Sequence, residues 1–218
     1  MRSTGDIVAA PVTREFQLNP TKSAHEWRTA TPVCFCSDWR GENCDLELLT
    51  AVRALWSVDQ LYLRFDCRYR GLYMFPGRTG DGNGRRDCLW ERDVVEVFLQ
   101  PDRSQFYHYK EFEVAPNGLW IDLEVSSGSI RNLESSVRRS VSVDRESRVW
   151  SAELAIPMAS LAPSFDSHEV WYVNFYRIEG RREPRAYLAW QPTNTPQPEF
   201  HVPSSFGKLH FGHHRESV

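Results

Sequence analysis

An all-β fold, an antiparallel, jelly-roll-like β-sandwich of roughly ten strands with one or two short helical turns, follows from three observations. Short runs alternate apolar and polar residues, the period of a half-buried strand. Aromatic residues make up 13% of the chain, eight of them Trp, a bias that suits pleated surfaces better than helices. Turn signals built on Gly, Pro, Asn and Asp recur between the runs, which is how sheet proteins are punctuated.

The chain has 218 residues and 41% hydrophobic content, enough for one large core. The reading assigns residues 1–15 to an extended arm, 16–212 to a single domain and 213–218 to a tail. A formal net charge of -3 gives no electrostatic footprint for nucleic acid or an anionic membrane. No run approaches the roughly 18 apolar residues that span a bilayer. The first residues, MRSTGDIVAAPVTREF, lack the apolar stretch of a signal peptide. Five cysteines cannot all pair, and Cys34-x-Cys36 with Cys44 lacks zinc spacing. Cys67 falls in phase with Leu61, Leu63 and Phe65, so the cysteines read as free, mostly buried thiols. The expected compartment is therefore the cytoplasm.

Taken in order, Pro20–Ala30 suits one helical turn before Trp27, and Pro32–Ser37 a short strand. Cys36–Asp45 is a polar loop. Thr50–Trp56 and Gln60–Cys67 form a hairpin turning at Ser57-Val58-Asp59, with Tyr62, Arg64 and Asp66 opposite its core face. Tyr73–Asp87 is a loop with GDGNGRRD at its centre; loops of that length are more often functional than decorative. Leu119–Val125 is a strand after an Asn117-Gly118 turn, and Ser126–Ser136 reads as irregular. Ser140–Asp144 and Val149–Ile156 form a further hairpin that buries Trp150, Leu154 and Ile156. Pro157–Leu161 is a helical turn. Val170–Glu179 is apolar on both faces, as a covered central strand is. Arg185–Gln191 and Phe206–Phe211 close the fold around a proline-rich loop, Pro192–Pro203.

The stretch with chemistry is LWERDVVEVFLQPDRSQFYHYKEFEVAP, Leu89–Pro116. Two strands, Asp93–Gln100 and Tyr107–Ala115, flank a polar turn. Alternation puts Val95, Val97, Leu99, Phe112 and Val114 on one face. Glu96, Phe98, Tyr109, Glu111 and Glu113 take the other. Three carboxylates that close repel one another, so the face calls for arginines, a cation or a hydrogen-bonding ligand. Carboxylates beside flat rings, with Trp90 just upstream, suit a sugar.

The same residues carry a family resemblance. LWERDVVEVFL, then YKEFEVAPNG, NFYRIEG, YLAWQPT and FHVPSSFGKLHF, with TAVRALWSVDQLYLRF and the ELAIP around Ile156, resemble carbohydrate-binding module family 9 and its relatives. The resemblance runs from about Phe16 to Phe211 in the family's order. It implies non-catalytic binding of a mono- or oligosaccharide gripped between two tryptophans. Trp90 matches the first and Trp190 the second, with Phe200 as the alternative to Trp190. Glu96, six residues after Trp90, matches a carboxylate that accepts sugar hydroxyls. Glu111, Glu113, Asn174 and Arg177 are further ligand candidates. Arg177 is in phase with Trp171, Val173 and Phe175, so a structural Arg–Glu network is as good a reading of it. Asp93 opens its strand on the core-facing phase and reads as a loop anchor or a calcium ligand.

The family often carries structural calcium, for which Asp38, Asp45, Asp81 and Asp87 are the acidic loop residues; Asp81-Gly-Asn83-Gly matches no ordered calcium loop. Paired carboxylates also allow a glycoside-processing enzyme, although no nucleophile elbow, HExxH or phosphate loop accompanies them. A haem-binding relative would need Met74 with His108 or His201. His210, His213 and His214 read as a frayed tail rather than a metal site.

Overall fold

Alternating runs become two stacked sheets in a computed structural model of the chain, which describes residues 5–22, 24–77 and 84–213. Thirteen strands are present among the described residues. The first seven are β1 (Asp6–Pro11), β2 (Val33–Phe35), β3 (Thr50–Trp56), β4 (Gln60–Arg68), β5 (Val94–Gln100), β6 (Tyr109–Val114) and β7 (Trp120–Ser126). Then come β8 (Ser129–Asn132), β9 (Arg138–Asp144), β10 (Val149–Pro157), β11 (Trp171–Glu179), β12 (Ala186–Ala189) and β13 (Gly207–Phe211). One helical turn, α1 (Met158–Leu161), follows β10, and five short 3₁₀ turns lie in the connections.

One sheet runs β8-β7-β6-β5-β11, with β12 and β13 sharing the far side of β11. The other runs β3-β4-β10-β9, with β2 on the free side of β3. Both hairpins read from the sequence form, and β11 is covered on both faces. Between the sheets, Val95, Val97, Leu99, Phe112 and Phe175 pack against Leu61, Leu63, Phe65, Trp150 and Leu154. This is the face assignment that alternation dictates.

Three sequence expectations need correction. Residues 1–15 are not a free arm throughout: Asp6–Ala9 pair in parallel with Lys208–Phe211, and Ala10 and Pro11 with Leu55 and Trp56. β1 thus joins the two sheets, and its two ladders depart from a wholly antiparallel fold. Its partners are distant in sequence, which is why six residues of weak alternation gave no sign of it. Ser126–Ser136 is not wholly irregular, since β8 pairs with β7 there. The thirteen described strands and few short helical turns match the sandwich of roughly ten strands that the sequence predicts.

The third correction concerns the thiols. Cys36 and Cys44 form a disulfide, Cys34 and Cys88 are exposed, and only Cys67 is a buried free thiol. Gly41 and Asn43 adopt positive φ, +76° and +51°, so the chain reverses within the disulfide loop. Asp38 stabilises the turn by accepting from Arg40 N, Glu42 N and Asn43 Nδ2 at 2.8–3.0 Å. The loop also braces a distant segment. Trp39 Nε1 donates to Thr195 O at 2.8 Å, and Thr193 N donates to Trp39 O at 2.8 Å.

Arg177 lies in the inter-sheet core, 1% exposed. It donates to Leu48 O and Thr50 Oγ1 at 3.0 and 3.1 Å and pairs with Glu179. A buried cation needs such a partner to offset its desolvation. Residues 1–4, 23, 78–83 and 214–218, including Asp81, Asn83 and His214, lie outside the described residues.

Thiol titration of the unfolded, unreduced protein should count three free groups, not five. Reduction, or Cys36→Ser with Cys44→Ser, should lower unfolding free energy by about 2–3 kcal/mol, since the closed loop is short. Urea denaturation with and without reductant checks both values.

Candidate functional site

On the outer face of the first sheet, the register places Glu96 opposite Glu113 and Phe98 opposite Glu111. Facing pairs of this kind hold their Cβ atoms about 4.5–5.5 Å apart. β11 pairs on the other side of β5, setting Tyr176 beside Glu96. The carboxylates therefore form one cluster beside rings, as alternation predicts. An open pocket of about 380 Å³ lies over them, inside the range of about 300–1,000 Å³ usual for small-molecule sites.

Glu96, Glu111 and Glu113 line the pocket although they are only 3%, 3% and 0% exposed. Glu96 Oε1, Glu111 Oε2 and both oxygens of Glu113 receive no hydrogen bond from a donor group among the described residues, and Glu111 and Glu113 approach closely enough to share a proton. Burial pushes the Glu96 carboxyl well above its usual range, and the Glu111 charge adds to the rise. Burial likewise raises Glu113, helped by the charges of Glu96 and Glu111. Burial also raises Glu111, against the opposing pull of His201.

Aromatic and apolar walls surround the acids. Trp90, in a 3₁₀ turn just before β5, remains 43% exposed and lines the pocket. Its carbonyl accepts from Arg185 Nη1 at 3.0 Å, and Arg185 Nη2 holds Arg92 O at 2.9 Å. Asp93, immediately after, accepts from Tyr73 N at 2.6 Å and Gly180 N at 2.8 Å. It is the loop anchor of the two roles read for it. Phe200 enters from the proline-rich loop and stacks on Tyr176, with ring centroids 4.2 Å apart. Tyr109 OH shares a 2.7 Å hydrogen bond with His201 Nδ1, fixing the same loop.

Three of the sequence-predicted ligand residues lie elsewhere. Trp190 is 3% exposed and packs in the inter-sheet core against Phe175, with centroids 5.4 Å apart. A Cβ at Gly207 would lie 2.8 Å from its ring, so the ring abuts backbone. Alternation in β12 explains this: Leu188 and Trp190 point inward, while Tyr187 points to the pocket. Asn174 spends its amide on structure, donating to Tyr176 OH and Gln191 O and accepting from Phe175 N and Gln191 N. Arg177 belongs to the core network already described. The sequence reading missed Tyr187, and carrying the strand's period through to Trp190 would have found it.

The other metal readings do not assemble. His108 contacts Glu124 at 2.7 Å, in a different pocket from His201. His210 faces Asp6 at 3.4 Å, and His213 faces His168. Asp45 caps a helical turn through Glu47 N at 3.0 Å, and both Asp38 oxygens are taken by the turn. Among the described residues no group of three or more His, Cys, Asp and Glu side chains is placed to hold a metal ion.

Two outcomes follow from this geometry. Each acid's folded-state pKa lies above the unfolded value of about 4.3, so its stabilising contribution is full below that pH and is lost as pH rises. Melting temperature of the ligand-free protein should fall between pH 5 and pH 8, and Glu113→Gln should fall less and melt higher at pH 8. Trp190→Ala should cost about 3–5 kcal/mol of stability, whereas Trp90→Ala should stay within about 0.5 kcal/mol. Chemical denaturation of the two variants separates the roles.

Comparison with known proteins places the fold. A relative from Arthroderma benhamiae, named only as an extracellular protein, is 23% identical over 180 residues, covering 74% of this chain and 78% of that protein. A family 9 carbohydrate-binding module from Caldicellulosiruptor kristjanssonii, solved with cellotriose, superposes with a TM-score of 0.67. It is 12% identical and covers 94% of this chain and 93% of its own. A module from the same organism solved with glucose gives a TM-score of 0.67 at 13% identity, covering 98% of each chain. Residues 78–211 match the profile described as carbohydrate-binding family 9. That match spans more than half of the sequence and every strand from β5 to β13, and the chain belongs to carbohydrate-binding family 9.

Proposed function

We propose that this protein binds a mono- or oligosaccharide without transforming it, one sugar ring lying against Trp90 with its hydroxyls on Glu96, Glu111 and Glu113. The observation that carries the reading is the set of buried, unpartnered carboxylate oxygens lining a pocket beneath an exposed indole. An unmade hydrogen bond at a buried acceptor costs free energy that a ligand hydroxyl recovers. The indole face covers the C–H side of a pyranose at the same time. Tyr187 and Phe200 supply further ring surface in the pocket. Modules of the same fold solved with cellotriose and glucose support a saccharide as the partner.

A binding role also fits the acids' electrostatics better than hydrolysis does. Glycosidases push two carboxyl pKa values apart, one kept protonated and one ionised. Here burial moves all three acids the same way, upward. For location, the expectation of a cytoplasmic protein rested on the lack of a signal-peptide stretch and on free thiols, and the second support is lost with Cys36–Cys44 paired. An oxidising compartment suits the disulfide better.

Calorimetric titration with mono- and disaccharides tests the site. Trp90→Ala should weaken binding about tenfold to a hundredfold, the loss of about 1–3 kcal/mol of stacking, while the protein stays folded. Glu96→Gln, which keeps shape and removes charge, should also lower affinity without unfolding. Unchanged affinity in folded Trp90→Ala protein would remove Trp90 from the site.

A further inference from the structure

Every other buried carboxylate described has its charge answered nearby. Glu153 meets Arg64 at 2.5 Å, Glu179 meets Arg177, and Asp122 meets Arg85. Asp93 accepts two backbone N–H groups, and Asp38 has Arg40 at 3.5 Å besides its turn donors. The pocket departs from this pattern. Its lining holds Glu96, Glu111, Glu113 and Glu199 against one group able to carry positive charge, His201, and no lysine or arginine among the described residues. Arg185 acts on Glu96 through its charge alone, because its Nε, Nη1 and Nη2 donate to the carbonyls of Gly180, Trp90 and Arg92.

Resting on the sugar reading above, we infer that the pocket's preferred ligand is an amino sugar in its ammonium form. Burial holds these carboxyls toward the neutral form, and neutral hydroxyls would leave each one that ionises beside Leu123, Ile178 and Phe200 without a lysine or arginine in the pocket to answer it. An ammonium brings three N–H donors and a full positive charge together. Glu96 and Glu113 are cross-strand neighbours and Glu111 is two residues along the same face, so one amine and its adjacent hydroxyls reach all three. The exposed Trp90 face attracts a cation as well as covering C–H groups. A bare metal ion is the poorer match, because these acids do not assemble into a group able to hold one.

Isothermal calorimetry at pH 6.5 with glucosamine, glucose and N-acetylglucosamine tests the inference, the acetyl group removing the charge. Glucosamine should bind at least tenfold tighter than either neutral sugar. Glu96→Gln and Glu113→Gln, shown folded by melting curves, should each cut that preference below threefold. Glu111→Gln stands in for either variant that does not fold. Glucose binding with no advantage for glucosamine would overturn the amine inference and leave the sugar site standing. A preference that survives in every folded glutamine variant would also overturn it. Binding of none of the three sugars would overturn both readings.

Discussion

The register of β5 between β6 and β11 is the constraint on which the rest depends. Period-two alternation sends Val95, Val97 and Leu99 into the core and Glu96 and Phe98 to the pocket. β6 repeats the split with Phe112 and Val114 against Glu111 and Glu113, and β11 with Phe175 against Tyr176. A slip of β5 by one residue would exchange its faces, putting Glu96 in the core and Val95, Val97 and Leu99 in the pocket, and the same slip of β6 would bury Glu111 and Glu113. The energetic gap between these arrangements is large, because each unpaired buried acid costs far more than an exposed valine. Core packing therefore fixes the placement of the acid-bearing face, with no separate device needed to hold it.

The sheet handles buried charge in two opposite ways on its two faces. Toward the core, Arg177 and Glu179 neutralise each other, and Leu48 and Thr50 take up the remaining donors. Toward the pocket, three acids stand with free oxygens. Fold stability favours the first arrangement and opposes the second. An energetically unfavourable cluster that neighbouring strands nevertheless hold in place is the mark of a surface arranged for something other than folding.

What was legible in the sequence followed from local period. The two hairpins, the covered strand β11 and the acid-bearing face needed only alternation and turn chemistry, and all are present. Features that depend on pairing across the chain were not legible. β1 closes on residues about two hundred positions away, a partnership that no window of sequence displays. The Cys36–Cys44 bond follows from the reversal at Gly41 and Asn43, and connectivity is not deducible from an odd cysteine count. Trp190 was misplaced for a different reason. Its position at a strand end suggested a rim, but direction along a strand is set by phase, and Leu188 shares that phase.

The parallel pairing of β1 with β13 also has a mechanical side. Asp6 lies beside Lys208 and Ala9 beside Phe211, so the chain enters this ladder at one end and leaves it at the other. Tension applied to the two flanking segments in opposite directions would slide one strand along its neighbour, loading all the bridging hydrogen bonds together. An antiparallel closure would open like a zipper, one bond at a time. Under pulling, a domain closed in this way resists in shear, and the acid-bearing sheet that contains β13 stays intact until that ladder gives.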